Sequence, residues 1–102
     1  MSSVFYLKQN DTRPSYVAQL LQDGSAVDLA GATVRFHMGS VVDAPATIVD
    51  ASTGVVRYDW LATDTAVAGT YNAEFEVTFS DGAVETFPNK DYLQIVIGEK
   101  VA

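Results

Sequence analysis

The sequence predicts an all-β sandwich of seven to eight mostly antiparallel strands. Three observations carry that expectation. Apolar and polar residues alternate at period two along much of the chain, turn-forming residues recur about every 8–12 residues, and no stretch holds a sustained helical period. Successive side chains of a strand point to opposite faces, so alternation marks a strand with one buried face.

Val4–Gln9 (VFYLKQ) is the first candidate, with a polar leader that suits an edge strand. Ser15–Leu21 (SYVAQLL) follows, then the turn pair Asp23-Gly24, which tolerates positive φ. In ATVRFHM, Ala32, Val34, Phe36 and Met38 alternate with Thr33, Arg35 and His37. Ala46–Asp50 (ATIVD) and the VVRYDW run, with Val56, Tyr58 and Trp60 opposite Arg57 and Asp59, flank a turn at Ala51-Ser52-Thr53-Gly54. Leu61–Ala68 fits a single helical turn.

The strongest strand is GTYNAEFEVTF. Tyr71, Ala73, Phe75, Val77 and Phe79 share one face, and Thr70, Asn72, Glu74, Glu76 and Thr78 share the other. Asp81-Gly82 then reads as a hairpin turn into Ala83–Phe87 (AVETF), and the last strand sets Leu93, Ile95 and Ile97 on one face. Pro14, Pro45 and Pro88 are expected at strand ends, where a missing N–H is tolerated.

Leu61 to Ala73 resembles the approach to a tyrosine corner, in which a Tyr near a strand start turns its hydroxyl back to an upstream backbone group. Tyr71 holds that place. The expected architecture is therefore an immunoglobulin-like β-sandwich, built as a single domain over residues 1–102.

With no cysteine among 102 residues, disulfides, thiolate metal sites and cysteine catalysis are excluded. Apolar residues make up 48% of the chain, enough for burial to drive folding and against disorder. The amino terminus has no basic head or apolar stretch of the signal-peptide kind, so the protein is expected to be made in the cytoplasm without secretion. No apolar run approaches the roughly 20 residues that cross a bilayer. The net charge of −7 repels phosphate backbones and anionic lipid. Lys8, Arg13, Arg35, Arg57, Lys90 and Lys100 are scattered along the sequence, so neither nucleic acid nor membrane is expected as a partner.

Candidate chemistry is sparse. His37 is the sole histidine, on the polar side of its strand, and no serine sits in a nucleophile-elbow context, so it reads as an exposed structural residue. Zinc would have to use it with carboxylates alone, a poor ligand set. Glu74 and Glu76 lie on one strand face roughly 7 Å apart, and fit solvation, with pairing to Arg35 or Arg57 across the sheet. Asp11, Asp50, Asp64 and Asp81 fall at turns, where Asp caps its own backbone; no D-x-D-x-D calcium loop is present. Phe36, Tyr58, Trp60, Tyr71, Phe75 and Phe79 take the apolar phase of their strands and belong to the core. Tyr6, Tyr16 and Tyr92 are freer and suit a contact surface. No catalytic residue, metal site, cofactor or small-molecule ligand is expected.

The order of motifs resembles the amino-terminal immunoglobulin-like domain of phage baseplate upper proteins. It runs Asn10-Asp11-Thr12; Asp23-Gly24-Ser25-Ala26-Val27-Asp28-Leu29-Ala30-Gly31-Ala32-Thr33-Val34-Arg35-Phe36-His37-Met38; Thr53-Gly54-Val55-Val56-Arg57-Tyr58; Asp64-Thr65; Gly69-Thr70-Tyr71-Asn72-Ala73-Glu74-Phe75; Ser80-Asp81-Gly82; and Phe87-Pro88-Asn89. In that frame Val27 and Leu29 cover one end of the core, Gly31 permits the bend into the next strand, and Tyr71 locks the crossover.

The resemblance implies a non-enzymatic bacteriophage virion structural protein, an assembly or adaptor module of tail, baseplate or neck that binds other virion proteins in multiple copies. Such domains usually precede a linker and a further assembly region, whereas this sequence stops at Ala102; a free-standing accessory protein or a capsid decoration (cement) protein is the alternative it suggests. From another class, a carbohydrate or host-surface binding module would need aromatics projecting from loops or an open face.

Overall fold

The computed structural model describes residues 4–89 and 92–101. In chain order the strands are Val4–Lys8 (β1), Tyr16–Gln19 (β2), Leu21–Gln22 (β3), Ser25–Ala26 (β4), Thr33–Met38 (β5), Val42–Asp50 (β6), Val55–Tyr58 (β7), Gly69–Thr78 (β8), Val84–Phe87 (β9) and Leu93–Gly98 (β10). Eight of them build two facing layers of an immunoglobulin-like sandwich, and β3 and β4 form a separate small hairpin.

The larger layer runs β1-β10-β8-β5 and ends on the first half of β6; β9 pairs with the far half of β8. All its pairings are antiparallel except β1 with β10, which is parallel and in register from Val4↔Gln94 to Lys8↔Gly98. The smaller layer is the second half of β6 with β7 and β2. Strand β6 joins the layers: Val42–Ala46 pairs with β5, Thr47–Asp50 pairs with β7, and a register shift between Ile48 and Asp50 accompanies the turn. Bulges bend strands at such corners.

Pro45 lies inside β6, opposite Arg35, and not at a strand end as its lack of an N–H suggested. It is tolerated because this half of β6 is the border of the larger layer, where one side of the strand has no hydrogen-bonded neighbour. The expected helical turn at Leu61–Ala68 is a hydrogen-bonded turn, Asp64 N to Leu61 O at 2.9 Å, that does not propagate.

Turn chemistry follows the residues. Asp23 (φ 52°) and Gly24 (φ 80°) are both left-handed, the arrangement that a two-residue hairpin between right-twisted strands requires. Gly54 (φ 71°) is packed so tightly that a Cβ would lie 2.8 Å from the carbonyl oxygens of both Leu20 and Val27.

The core is an aromatic cluster between the layers. Phe36 and Phe75 of the larger layer are fully buried. The Phe36 ring lies 4.6 Å from Tyr58, 5.1 Å from Phe75 and 5.6 Å from Trp60, centroid to centroid. Val34, Met38, Val56, Val77, Ile95 and Ile97 complete the interior, and Val27 and Leu29 close one end of it. Tyr16, taken from the sequence as a free surface tyrosine, is buried between Phe5 (4.9 Å) and Phe75 (5.9 Å), and burial raises its phenol pKa. Phe79 and Tyr71 are only partly buried: β8 ends just before Phe79, and Tyr71 faces the corner that its hydroxyl closes.

Candidate interaction surfaces

The loops gather at two ends of the sandwich. Strand directions place residues 9–15, 39–41, 59–68 and 98–101 at one end, here the lower, and residues 20–32, 51–54 and 79–83 at the other, the upper.

The lower end is tied together by side chains. Tyr71 donates its hydroxyl to the Val67 carbonyl at 2.8 Å, the hydrogen bond of a tyrosine corner. The Asp64 carboxylate accepts from the Tyr58 hydroxyl at 2.5 Å and from the Leu61 N–H at 2.9 Å. Burial, then the bond to Asp64, pushes the Tyr58 phenol far above its ordinary value. Thr65, fully buried, donates to the Asp11 carbonyl at 3.0 Å, and its own carbonyl accepts from the Asn10 N–H at 2.9 Å. The side chains of Gln9 and Asn10 reach the Ala66 and Ala62 carbonyls. Asn10-Asp11 and Asp64-Thr65 are thus two halves of one clasp.

The outer strand faces carry ion pairs between neighbouring side chains. Arg35 donates to Asp43 Oδ1 at 2.9 Å and to the Asp43 carbonyl at 3.0 Å, and the first bond holds the Asp43 carboxyl below its ordinary range. His37 sits between Asp43 (Nδ1 at 3.6 Å) and Glu76 (Nε2 at 3.8 Å). Arg57 pairs with Asp59 at 3.0 Å. The arginines therefore serve Asp43 and Asp59 rather than Glu74 and Glu76. Asp43 is directly opposite His37 on β6 and diagonal to Arg35, within reach of both, a partner hidden until β6 is seen to extend back to Val42. Among the described residues, no three His, Asp or Glu side chains converge as metal ligands.

Asp50 and Asp81 cap their own turns, as their positions suggested: Asp50 accepts from Ser52 N at 3.1 Å and Oγ at 2.8 Å, and Asp81 from Ala83 N at 2.9 Å. Asp11 instead pairs with Lys100 at 3.3 Å.

Two features suit contact with other proteins. Among the described residues, strand β1 is an edge, hydrogen-bonded to β10 alone, and carries the exposed side chains of Val4 and Tyr6. Tyr6 is 70% exposed and Tyr92 52%. The basic residues, scattered in sequence, are partly collected in space. Lys8 and Arg13 line one corner hollow with Tyr6 and Asp11, and Lys100 joins them through Asp11. Lys90 lies outside the described residues.

The family model of the BppU N-terminal domain matches residues 5–87. The chain belongs to the BppU N-terminal domain family. BppU is the baseplate upper protein, and membership makes this chain a phage structural domain that interacts with other virion proteins. Among solved structures it is similar to the N-terminal domain of phage TP901-1 ORF48, with a TM-score of 0.73 and 16% identity over 96% of this chain and 89% of that one. CopC from Methylosinus trichosporium OB3b matches with a TM-score of 0.56 and 14% identity, over 99% of this chain and 89% of the other. At these identities the likeness speaks for the fold alone. No curated protein matches in sequence.

The quoted motifs now have physical roles in this BppU-type domain. Asn10-Asp11 and Asp64-Thr65 form the lower clasp, Gly54 admits the Leu20 and Val27 backbone, and Gly31 (φ 72°) makes the bend ahead of β5.

Proposed function

We propose that this chain acts as a single-domain adaptor of the phage tail, baseplate or neck, holding other virion proteins in place in many copies and doing no chemistry. The observation that carries this reading is family membership joined to an exposed edge: β1 presents unpaired backbone groups beside Val4 and Tyr6. Backbone pairing gives affinity to such an edge, and alternate side chains give it selectivity. The clasp ties down the chain where it leaves β1, and an edge ordered before docking has less entropy to lose on binding.

A carbohydrate-binding role would need a platform of projecting aromatic rings, yet Phe36, Tyr58, Trp60 and Phe75 are buried with Tyr16 among them, and the exposed rings are those of Tyr6 and Tyr92. The test is composition and electron microscopy of purified particles, with wild-type protein and with the edge variant Val4→Lys/Tyr6→Lys, which changes two exposed side chains of β1 and leaves Phe5 and Leu7 in place. The adaptor reading expects the protein in the tail-side structures and loss of incorporation for the edge variant with its fold intact by circular dichroism. Absence from the particle overturns it; incorporation on the capsid shell makes the protein a decoration subunit instead.

A further inference from the structure

We infer that the corner hollow at the end of β1 is a socket for the β3–β4 hairpin of a second copy of this chain, so that copies pack head to tail. The hollow is about 260 Å³ and is lined by Tyr6, Leu7, Lys8, Asp11, Arg13 and Pro14. It sits at the lower end, where the exposed Lys8 and Arg13 share the corner with Lys100.

The lower end as a whole is mixed, with Asp11, Asp59, Asp64 and Glu99 beside Lys8, Arg13 and Lys100, so it is this one corner that is basic, whereas the upper end is uniformly acidic. Asp23, Asp28, Asp50 and Asp81 are its charged residues, and no Lys or Arg occurs among residues 19–32, 49–56 or 79–84. From that end the hairpin stands out: every residue from Leu21 to Ala26 is exposed. Its tip, Asp23-Gly24, is a turn held by two left-handed residues, so it presents a carboxylate on a stiff support. Leu21, 46% exposed, supplies an apolar flank to meet Tyr6.

The remaining described arginines do not compete for this role, because Arg35 and Arg57 are already paired with Asp43 and Asp59. A net charge of −7 makes most encounters between copies repulsive. The orientation that brings the acidic end onto the Lys8–Arg13 corner is the one that local charge favours, and electrostatic complementarity selects register in this way. Hairpin and socket are different surfaces on every copy, so the contact is heterologous: it repeats, and closes into a ring or runs on as a stack.

Sedimentation velocity of the purified full chain tests this across protein and salt concentration. The expected result is reversible association at low salt that dissociates as salt screens the contact. Arg13→Glu and Asp23→Asn each weaken it by about tenfold or more; Asn keeps the left-handed turn, so the hairpin survives. The deciding experiment is a mixture. Arg13→Glu and the double variant Gln22→Arg/Asp23→Asn are each monomeric alone and associate when combined, because each restores the charge that the other lost. Circular dichroism checks that both are folded. A chain that stays monomeric throughout, association that strengthens with salt, or variants without effect overturn the inference. The result is separable from the adaptor role: a monomeric protein that still enters particles sinks the stacking and leaves the adaptor standing.

Discussion

The two ends of this sandwich are held by different means. At the lower end, side chains reach across long stretches of sequence: Thr65 to Asp11, Gln9 to Ala66, and Asn10 to Ala62. At the upper end, aspartates cap turns two residues away, one long-range side-chain tie runs from Gln19 to the Thr53 carbonyl at 3.0 Å, and the other long-range ties run through the backbone, from Leu20 N to Gly54 O at 2.8 Å and from Leu29 N to Ala51 O at 2.9 Å. Side-chain ties can be cut one at a time by substitution. Backbone ties are vulnerable only where a glycine makes the close approach possible.

The largest effect is therefore expected at Gly54. Gly54→Ala puts a Cβ against two carbonyl oxygens and a non-glycine residue at φ 71°. It is expected to cost at least about 2–3 kcal/mol in urea unfolding. A loss below 1 kcal/mol (about the lower bound for one strained residue) would show that the upper end yields easily.

Next is Asp64→Ala at the lower end, which strands the buried Tyr58 hydroxyl and the Leu61 N–H. A loss of about 2–3 kcal/mol is expected by the same measurement. Tyr71→Phe removes one hydrogen bond and no packing, so about 1 kcal/mol should go. Faster hydrogen exchange after this change should stay within residues 61–73.

Alkali separates the ends without mutation. The Tyr58 and Tyr16 pKa values are raised in the folded protein, so the neutral phenols favour the fold. That contribution is fully present below the ordinary value of 10.0 and is lost as pH rises from there through the higher folded values. The lower end is expected to loosen first in base, and Tyr58→Phe should flatten the alkaline limb of a stability–pH curve. The smallest effect belongs to Asp81→Ala, an exposed cap on its own turn, whose stability should stay within about 0.5 kcal/mol of wild type. A larger loss would mean that the upper turns are coupled after all.

How much was legible in the sequence varies by element. Strand β8 could be read outright, since five alternating apolar positions from Tyr71 to Phe79 leave one phase. The β2 segment was harder: Tyr16, Ala18 and Leu20 alternate inward, but Val17 and Leu21 make the outward face apolar too, and with both phases apolar the buried one is hidden. Of the surface features, Val4–Gln9 as an edge and Tyr6 and Tyr92 as exposed tyrosines were visible in advance. The corner shared by Lys8, Arg13 and Lys100 was not, because the parallel pairing of the first strand with the last brings together residues from opposite ends of the chain.

By itself the sequence determined the local terms: the two-residue rhythm, left-handed turns at Asp23-Gly24, and the tyrosine corner, whose hydroxyl and carbonyl are only four residues apart. Tertiary structure alone decided that β6 serves both layers, that Thr65 fastens to Asp11, and that Lys8, Arg13 and Lys100 share one corner. Those outcomes depend on pairings between distant segments, and alternation tells a strand which face to bury without telling it which neighbour to take.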